Sequence, residues 1–274
     1  MYLINGHFSE SVPVQDRGLH YGDGVFETIA IQNGMPLCWE AHYLRLQAGC
    51  VRLGIHCPTM ELLSSEMRRL PLTGPRCVVK IIVTRGTGGR GYRPPDPRPV
   101  PTRILGVYPW PDFPPEYTTD GIRTRICSTR IGGSPQLAGI KHLNRLEQVQ
   151  ARREWDDPDI AEGLMLDTQG MVIEGTMSNI FCIKDNVLIT PDLATCGIAG
   201  IIRGCILKMY PQLNMQLSIR TFTETELYTS DEVFLCNSII GIWPVIDVAQ
   251  RAFTVGPRTR EIRELLLRKE MIAA

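Results

Sequence analysis

Leu137-Ala138-Gly139-Ile140-Lys141-His142-Leu143-Asn144-Arg145-Leu146-Glu147 carries one lysine at the exit of a small-residue turn, just ahead of a segment that reads as a helix. Further along comes Val172-Ile173-Glu174-Gly175-Thr176-Met177-Ser178-Asn179, with a glutamate at the end of an apolar run. A lysine that forms a Schiff base needs a rigid mount and partial desolvation to lower its pKa. A pyridine nitrogen kept protonated needs a buried carboxylate beside it. Lys141 and Glu174 are the residue types for those two roles, and together they point to an aldehyde cofactor with a basic ring. Taken singly, each also reads as a solvated charge, the lysine at a helix start and the glutamate at a strand end.

The text before the lysine alternates strand and helix signals. Tyr2 to Ile4, Val25 to Ile31 and Val78 to Thr84 are apolar, β-branched runs. Tyr43, Leu46, Cys50 and Leu53 recur at helical spacing, as do Met60, Leu63, Met67 and Leu70. After the run Arg103 to Tyr108, the prolines of Pro109-Trp110-Pro111-Asp112-Phe113-Pro114-Pro115 deny helix and central strand their backbone donors, which marks a linker. Beyond it, hairpins are expected where Leu164-Met165-Leu166 and Met171-Val172-Ile173 flank Asp167 to Gly170, and where Asn179 to Ile183 and Val187 to Thr190 flank Lys184-Asp185-Asn186. Helices are expected from Gly200, at the Thr223/Glu226 capping box and over Pro257 to Glu270. The expectation is an α/β (α+β) chain in two domains, a smaller N-terminal α/β domain over 1–108 and a larger one rich in antiparallel sheet over 121–274, joined by 109–120.

At 274 residues the chain can bury a sizeable core. Lysine plus arginine balances aspartate plus glutamate at 29 each, so no global field recruits nucleic acid or anionic membrane, and the expected partners are small molecules or further copies of the chain. No apolar stretch reaches about 18 residues and the amino terminus lacks a signal-peptide pattern, which points to the cytoplasm. Nine cysteines without a C-x-x-C pair fit neither a zinc site nor a disulfide framework, and most read as small buried hydrophobes.

A phosphate on the cofactor would need its own cradle. Thr195-Cys196-Gly197-Ile198-Ala199-Gly200-Ile201-Ile202-Arg203 offers glycines followed by a helix whose first amides lack intrahelical partners. Arg45, one turn after His42, can add a fixed positive charge, though an exposed helix arginine is the commoner case. With these residues in view, the sequence resembles the fold-type IV pyridoxal-phosphate enzymes, a family that includes branched-chain and D-amino-acid aminotransferases. The similarity runs from Asn5-Gly6 to near Val245. It implies that Lys141 is the Schiff-base lysine, that Glu174 partners the pyridine nitrogen, and that Arg45 binds the phosphate of pyridoxal 5'-phosphate. It implies further that Ile201 and Ile202 hold that phosphate through backbone amides and that Ser238 stands where relatives often have a phosphate-binding threonine.

Within the family, Gly139 to Val149 and Arg85-Gly86-Thr87-Gly88-Gly89-Arg90-Gly91-Tyr92 are similar to the aminodeoxychorismate lyase branch. That likeness implies cleavage of 4-amino-4-deoxychorismate to 4-aminobenzoate and pyruvate, with Lys141 as base and Thr28 as a catalytic hydroxyl; by chemistry alone a strand threonine is more often just a β former. Val25-Phe26-Glu27 resembles the aminotransferases instead, so a D-amino-acid or branched-chain aminotransferase is the alternative. The substrate's two carboxylates favour guanidinium donors, making Arg90 and then Tyr92 candidates; both equally suit a plain surface loop. Asn144 and Arg145 either line the site or pin the helix to its neighbours. The family also implies a homodimer.

Overall fold

In the computed structural model, which describes residues 1–273, the chain forms two compact units. Met1–Pro111 makes the first together with Ile140–Asn144; Asp112–Gly139 and the residues from Arg145 onward make the second. In the first unit the order is β1 (Tyr2–Ile4), β2 (His7–Phe8), α1 (Arg17–Tyr21), β3 (Gly24–Gln32), β4 (Met35–Pro36), α2 (Trp39–Leu53), α3 (Met60–Met67), β5 (Arg76–Thr84) and β6 (Thr102–Pro109). Its antiparallel sheet runs β2-β1-β6-β5-β3-β4.

Period-two alternation decides what each face of this sheet carries. Val25, Ile29 and Ile31 of β3 and Cys77, Val79, Ile81 and Val83 of β5 share one face and pack with Tyr43, Leu46 and Cys50 of α2 and Leu63 and Met67 of α3. Phe26 and Thr28 stand on the other face, with Lys80 of β5 opposite Thr28 in register. Helix α2 stops at Gly54, whose left-handed φ of 66° lets its amide close back onto Cys50 and Val51.

The second unit contains α4 (Glu116–Thr119), β7 (Ile122–Ile131), α5 (Leu146–Arg152), β8 (Ile160–Asp167), β9 (Val172–Gly175), β10 (Asn179–Lys184), β11 (Val187–Thr190), α6 (Ile201–Met209), β12 (Gln216–Ile219), α7 (Glu224–Tyr228), β13 (Glu232–Asn237), β14 (Gly241–Val248), β15 (Arg251–Ala252) and α8 (Pro257–Arg268). Both expected hairpins are present, as β8–β9 and β10–β11. The three expected helices are present too, α7 with its full Thr223/Glu226 capping box. The sheet is mixed: β11–β12, β14–β7 and β7–β8 are parallel and the remaining pairs antiparallel.

One further pairing shapes this unit. Strands β10, β13, β14, β7, β8 and β9 follow one another in the sheet, and β9 returns to β10 through the pair Glu174↔Asn179. The ring is therefore closed, and Glu174 lies at the closing pair. Leu164, Val172, Ile180, Leu235, Trp243 and Val245 belong to one buried cluster contributed by strands around the ring. Among the described residues seven of the nine cysteines are buried and no helix is long and apolar enough to cross a membrane.

Candidate active site

Lys141 is mounted by backbone rather than by a helix. Its carbonyl accepts from the amide of Phe26 at 2.9 Å, His142 bridges Val25, and the amide of Leu143 donates to Gly24 at 3.0 Å. Residues 141–143 thus lie against the start of β3 through one antiparallel bridge, and these backbone bonds fix the lysine Cα. The half-buried side chain carries Nζ to 4.5 Å from the centroid of the Phe26 ring, over the face where an ammonium is attracted. Lys80 places its own Nζ 5.1 Å from the same ring, and Thr28, half-buried, lies on that sheet face. Sequence reasoning passed over Lys80 and Phe26. The signal was present, since Lys80 interrupts the apolar run Cys77 to Val83 at a position that alternation assigns to the face away from the core.

The opposite face holds a buried charge cluster. Glu27, 1 % exposed, accepts from Arg45 Nε at 2.8 Å, from Arg45 Nη2 at 2.5 Å and from His42 Nδ1 at 2.6 Å. Burial alone would raise the Glu27 carboxyl, yet the Arg45 guanidinium and the His42 hydrogen bond together hold it at about 2. His42 is pushed below its ordinary value by its burial, against the pull of Glu27 and with Arg45 and Lys141 adding to the depression. Arg45 is thus gripped by a carboxylate in a bidentate pair, not an exposed helix arginine.

The remaining candidates of this unit are less enclosed. Asn144 gives its side-chain amide to the carbonyl of Gly22 at 3.1 Å, so it pins the chain beside α1. Arg90 is exposed and Tyr92 is 87 % exposed. Their loop is nonetheless held: Arg17 donates to the carbonyls of Gly91 and Tyr92 at 2.9 and 3.1 Å, and Tyr21 Oη accepts from the Gly91 amide at 3.0 Å.

In the second unit, Glu174 is 3 % exposed and accepts through Oε2 from the amide of Ile198 at 2.8 Å. Asn179 donates to the carbonyl of Ile198, also at 2.8 Å, so one residue is held through both its N–H and its C=O. Two residues on, Gly200 is the N-cap of α6 and provides no side-chain cap, which leaves the first-turn amides of Ile201 and Ile202 without intrahelical acceptors. A Cβ on Gly200 would overlap Asn179 Oδ1, so only glycine permits this approach. Ser238 lies in the turn between β13 and β14, where Asn237 Oδ1 accepts the amides of Ile239 and Ile240 at 2.7 and 2.9 Å. A positive helix end and a buried carboxylate, both tied to the 198–200 segment, suit a ligand with a phosphate and a basic ring nitrogen.

The chain belongs to the amino-transferase class IV family, whose model matches residues 24–248. Its relatives divide between elimination and amino transfer. It is 35% identical to an aminodeoxychorismate lyase of Vibrio harveyi, over 96% of this chain and 98% of that one. It matches the crystal structure of 4-amino-4-deoxychorismate lyase from Pseudomonas aeruginosa with a TM-score of 0.94 and 43% identity, over 99% of this chain and 100% of that one. A D-alanine aminotransferase of Bacillus licheniformis is 27% identical over 96% of this chain and 95% of its own length.

Proposed function

We propose that the chain is a pyridoxal-phosphate-dependent carbon–oxygen lyase that converts 4-amino-4-deoxychorismate to 4-aminobenzoate and pyruvate, a step towards folate, working as a cytoplasmic homodimer. The observation that carries this reading is the mounting of Lys141 on the open face of β3, beside Phe26, Thr28 and Lys80, in a chain 43% identical to the Pseudomonas lyase over nearly its whole length. The residues fit the cofactor. The uncapped start of α6 takes a phosphate on the amides of Ile201 and Ile202, and the enclosed Glu174 suits a protonated ring nitrogen. Arg45 and the hydroxyl of Ser238 complete the proposed phosphate set.

When bound, pyridoxal phosphate supplies an electron sink. Lys141 would be the residue that holds it, and its free amine would take the proton from the carbon bearing the substrate amine. Glu174 would hold the proton on the ring nitrogen. The bond from the adjacent ring carbon to the enolpyruvyl oxygen breaks with its electron pair on oxygen, the ring becomes aromatic, and the enol takes a proton on carbon to leave as pyruvate. Thr28 orients the lysine amine. Lys80 and Arg90, with Tyr92, take the substrate carboxylates.

A D-amino-acid or branched-chain aminotransferase is the competing reading, favoured by the D-alanine aminotransferase likeness and by Glu27 after Val25-Phe26. It would use Lys141 and Glu174 in the same places but needs a keto acid to complete its cycle. The holoenzyme incubated with 4-amino-4-deoxychorismate and no keto acid should therefore release 4-aminobenzoate and pyruvate in equal amounts over many turnovers, and Lys141→Ala should release neither. A holoenzyme that transaminates amino acids and makes no pyruvate would sink the lyase in favour of the aminotransferase.

A further inference from the structure

Glu162, near the start of β8, is 1 % exposed, and no ion pair engages it among the described residues. Its oxygens are saturated by donors instead. Oε1 accepts from the amide of Gly163 at 2.9 Å, the amide of Thr176 at 3.2 Å and the hydroxyl of Thr176 at 2.5 Å. Oε2 accepts from the amide of Met177 at 3.1 Å and the hydroxyl of Ser178 at 2.9 Å. Burial pushes the Glu162 carboxyl up against the pull of those donors. A carboxylate placed so is costly to desolvate and a poor way to gain stability. What a saturated buried polar network does supply is a single local conformation.

Four of the five donors come from Thr176 to Ser178, the turn that joins Glu174 to Asn179. Gly175 lets the turn close down on the carboxylate, since a Cβ there would come within 2.9 Å of Glu162 Oε2. The Gly175 amide then donates to Ser178 at 2.7 Å. The two residues flanking this turn are the ones that hold Ile198 by its amide and its carbonyl.

We propose that Glu162 is a positioning residue for the cofactor: by fixing the Thr176–Ser178 turn it sets Glu174 and Asn179 on Ile198 and so holds the pyridine-binding carboxylate in register with the start of α6. This rests on the proposed cofactor reading and extends it to a residue that touches neither ring nor phosphate. The test is equilibrium binding of pyridoxal phosphate to the full chain, wild type against Glu162→Gln, with thermal unfolding of the cofactor-free proteins in parallel. The near-isosteric amide turns one acceptor into a donor facing donors. The dissociation constant should rise about tenfold or more, the change expected when one buried hydrogen bond is lost, and the visible absorbance of the bound cofactor should shift in its pH titration. A folded E162Q with unchanged affinity and an unchanged pH titration overturns the proposal even if its melting temperature falls, because that pattern marks a merely structural residue. Should E162Q not fold, Thr176→Val carries the same test by deleting one hydroxyl donor. A wild-type chain that binds no pyridoxal phosphate overturns inference and cofactor reading together, whereas one that binds it but forms no pyruvate overturns the lyase reading alone.

Discussion

Gly200→Ala is the sharpest single perturbation of the phosphate cradle. The residue has φ −67° and ψ 148°, extended backbone that alanine adopts freely, so the substitution carries no backbone strain. The cost is steric. A Cβ would lie well inside the 3.0 Å that real Cβ contacts respect against Asn179 Oδ1. The amide must retreat by about 1 Å, enough to carry its 2.8 Å bond to the Ile198 carbonyl out of hydrogen-bond range. Leaving those partly buried groups unpaired costs about 1–3 kcal/mol. At about 2–4 °C per kcal/mol for a chain of this size, the melting temperature of the cofactor-free protein should fall by about 2–12 °C.

Affinity should suffer as well, because losing the Asn179 bond releases Ile198 and loosens the segment that carries the amides of Ile201 and Ile202. Weakening one charge-assisted bond to phosphate is worth about 1.5–3 kcal/mol, so the dissociation constant for pyridoxal phosphate should rise roughly ten- to hundredfold in a fluorescence or absorbance titration. Asn179→Ala in the same background gives a control, since it removes the clash. The double variant should be no less stable than N179A alone, a coupling that contacting residues show and distant ones do not. A G200A protein with wild-type melting and wild-type affinity would refute both the packing argument and the assignment of the phosphate to this helix end.

The Glu27 carboxyl, held at about 2 against an ordinary 4.5, gives stability that is present above pH 4.5 and lost as pH falls towards 2, amounting to about 3 kcal/mol. His42, depressed below 6.5, adds a loss in the same direction because only the unfolded chain takes up its proton readily below that pH. Urea midpoints of Glu27→Gln measured from pH 7 downwards should lack the Glu27 part of this slope, and a wild-type slope in the variant would contradict the assignment. Lys80→Met should raise KM for 4-amino-4-deoxychorismate about tenfold while leaving pyridoxal phosphate affinity unchanged, as expected for the loss of one charge-assisted contact; an unaltered KM would remove Lys80 from the substrate set. Glu232→Ala should act on the fold alone: its carboxylate accepts from the Arg258 amide at 3.1 Å and from the Thr259 amide and hydroxyl at 2.7 Å each. Losing that helix cap should cost about 1–3 kcal/mol in thermal denaturation with cofactor affinity unmoved.

The elements were legible where local chemistry decides them. The Thr223/Glu226 box, the Asp167–Gly170 and Lys184–Asn186 turns and the glycine before Ile201 each signal through neighbours a few residues away, and each formed the expected element. The lysine and glutamate segments stood out for the same reason. What stayed hidden depends on long-range register. Arg45 reads as a helix-surface charge until Glu27, on a strand, is seen beneath it. Nothing local announces Glu162, whose role emerges only when the turn after Glu174 folds over it. The parallel pairs β14–β7 and β7–β8 are set by crossovers that no hairpin signature announces.

The pair Glu174↔Asn179 that closes the strand ring also makes length a functional property. Between those two residues lie only Gly175, Thr176, Met177 and Ser178. Adding or removing one residue there would turn β10 over, presenting Phe181 and Ile183 where Ile180 and Cys182 now belong. It would also unhitch Asn179 from Ile198, three residues before the start of α6. Side chains in this turn can be exchanged singly at graded cost; its residue count cannot be changed by one without losing the core and the cofactor cradle together.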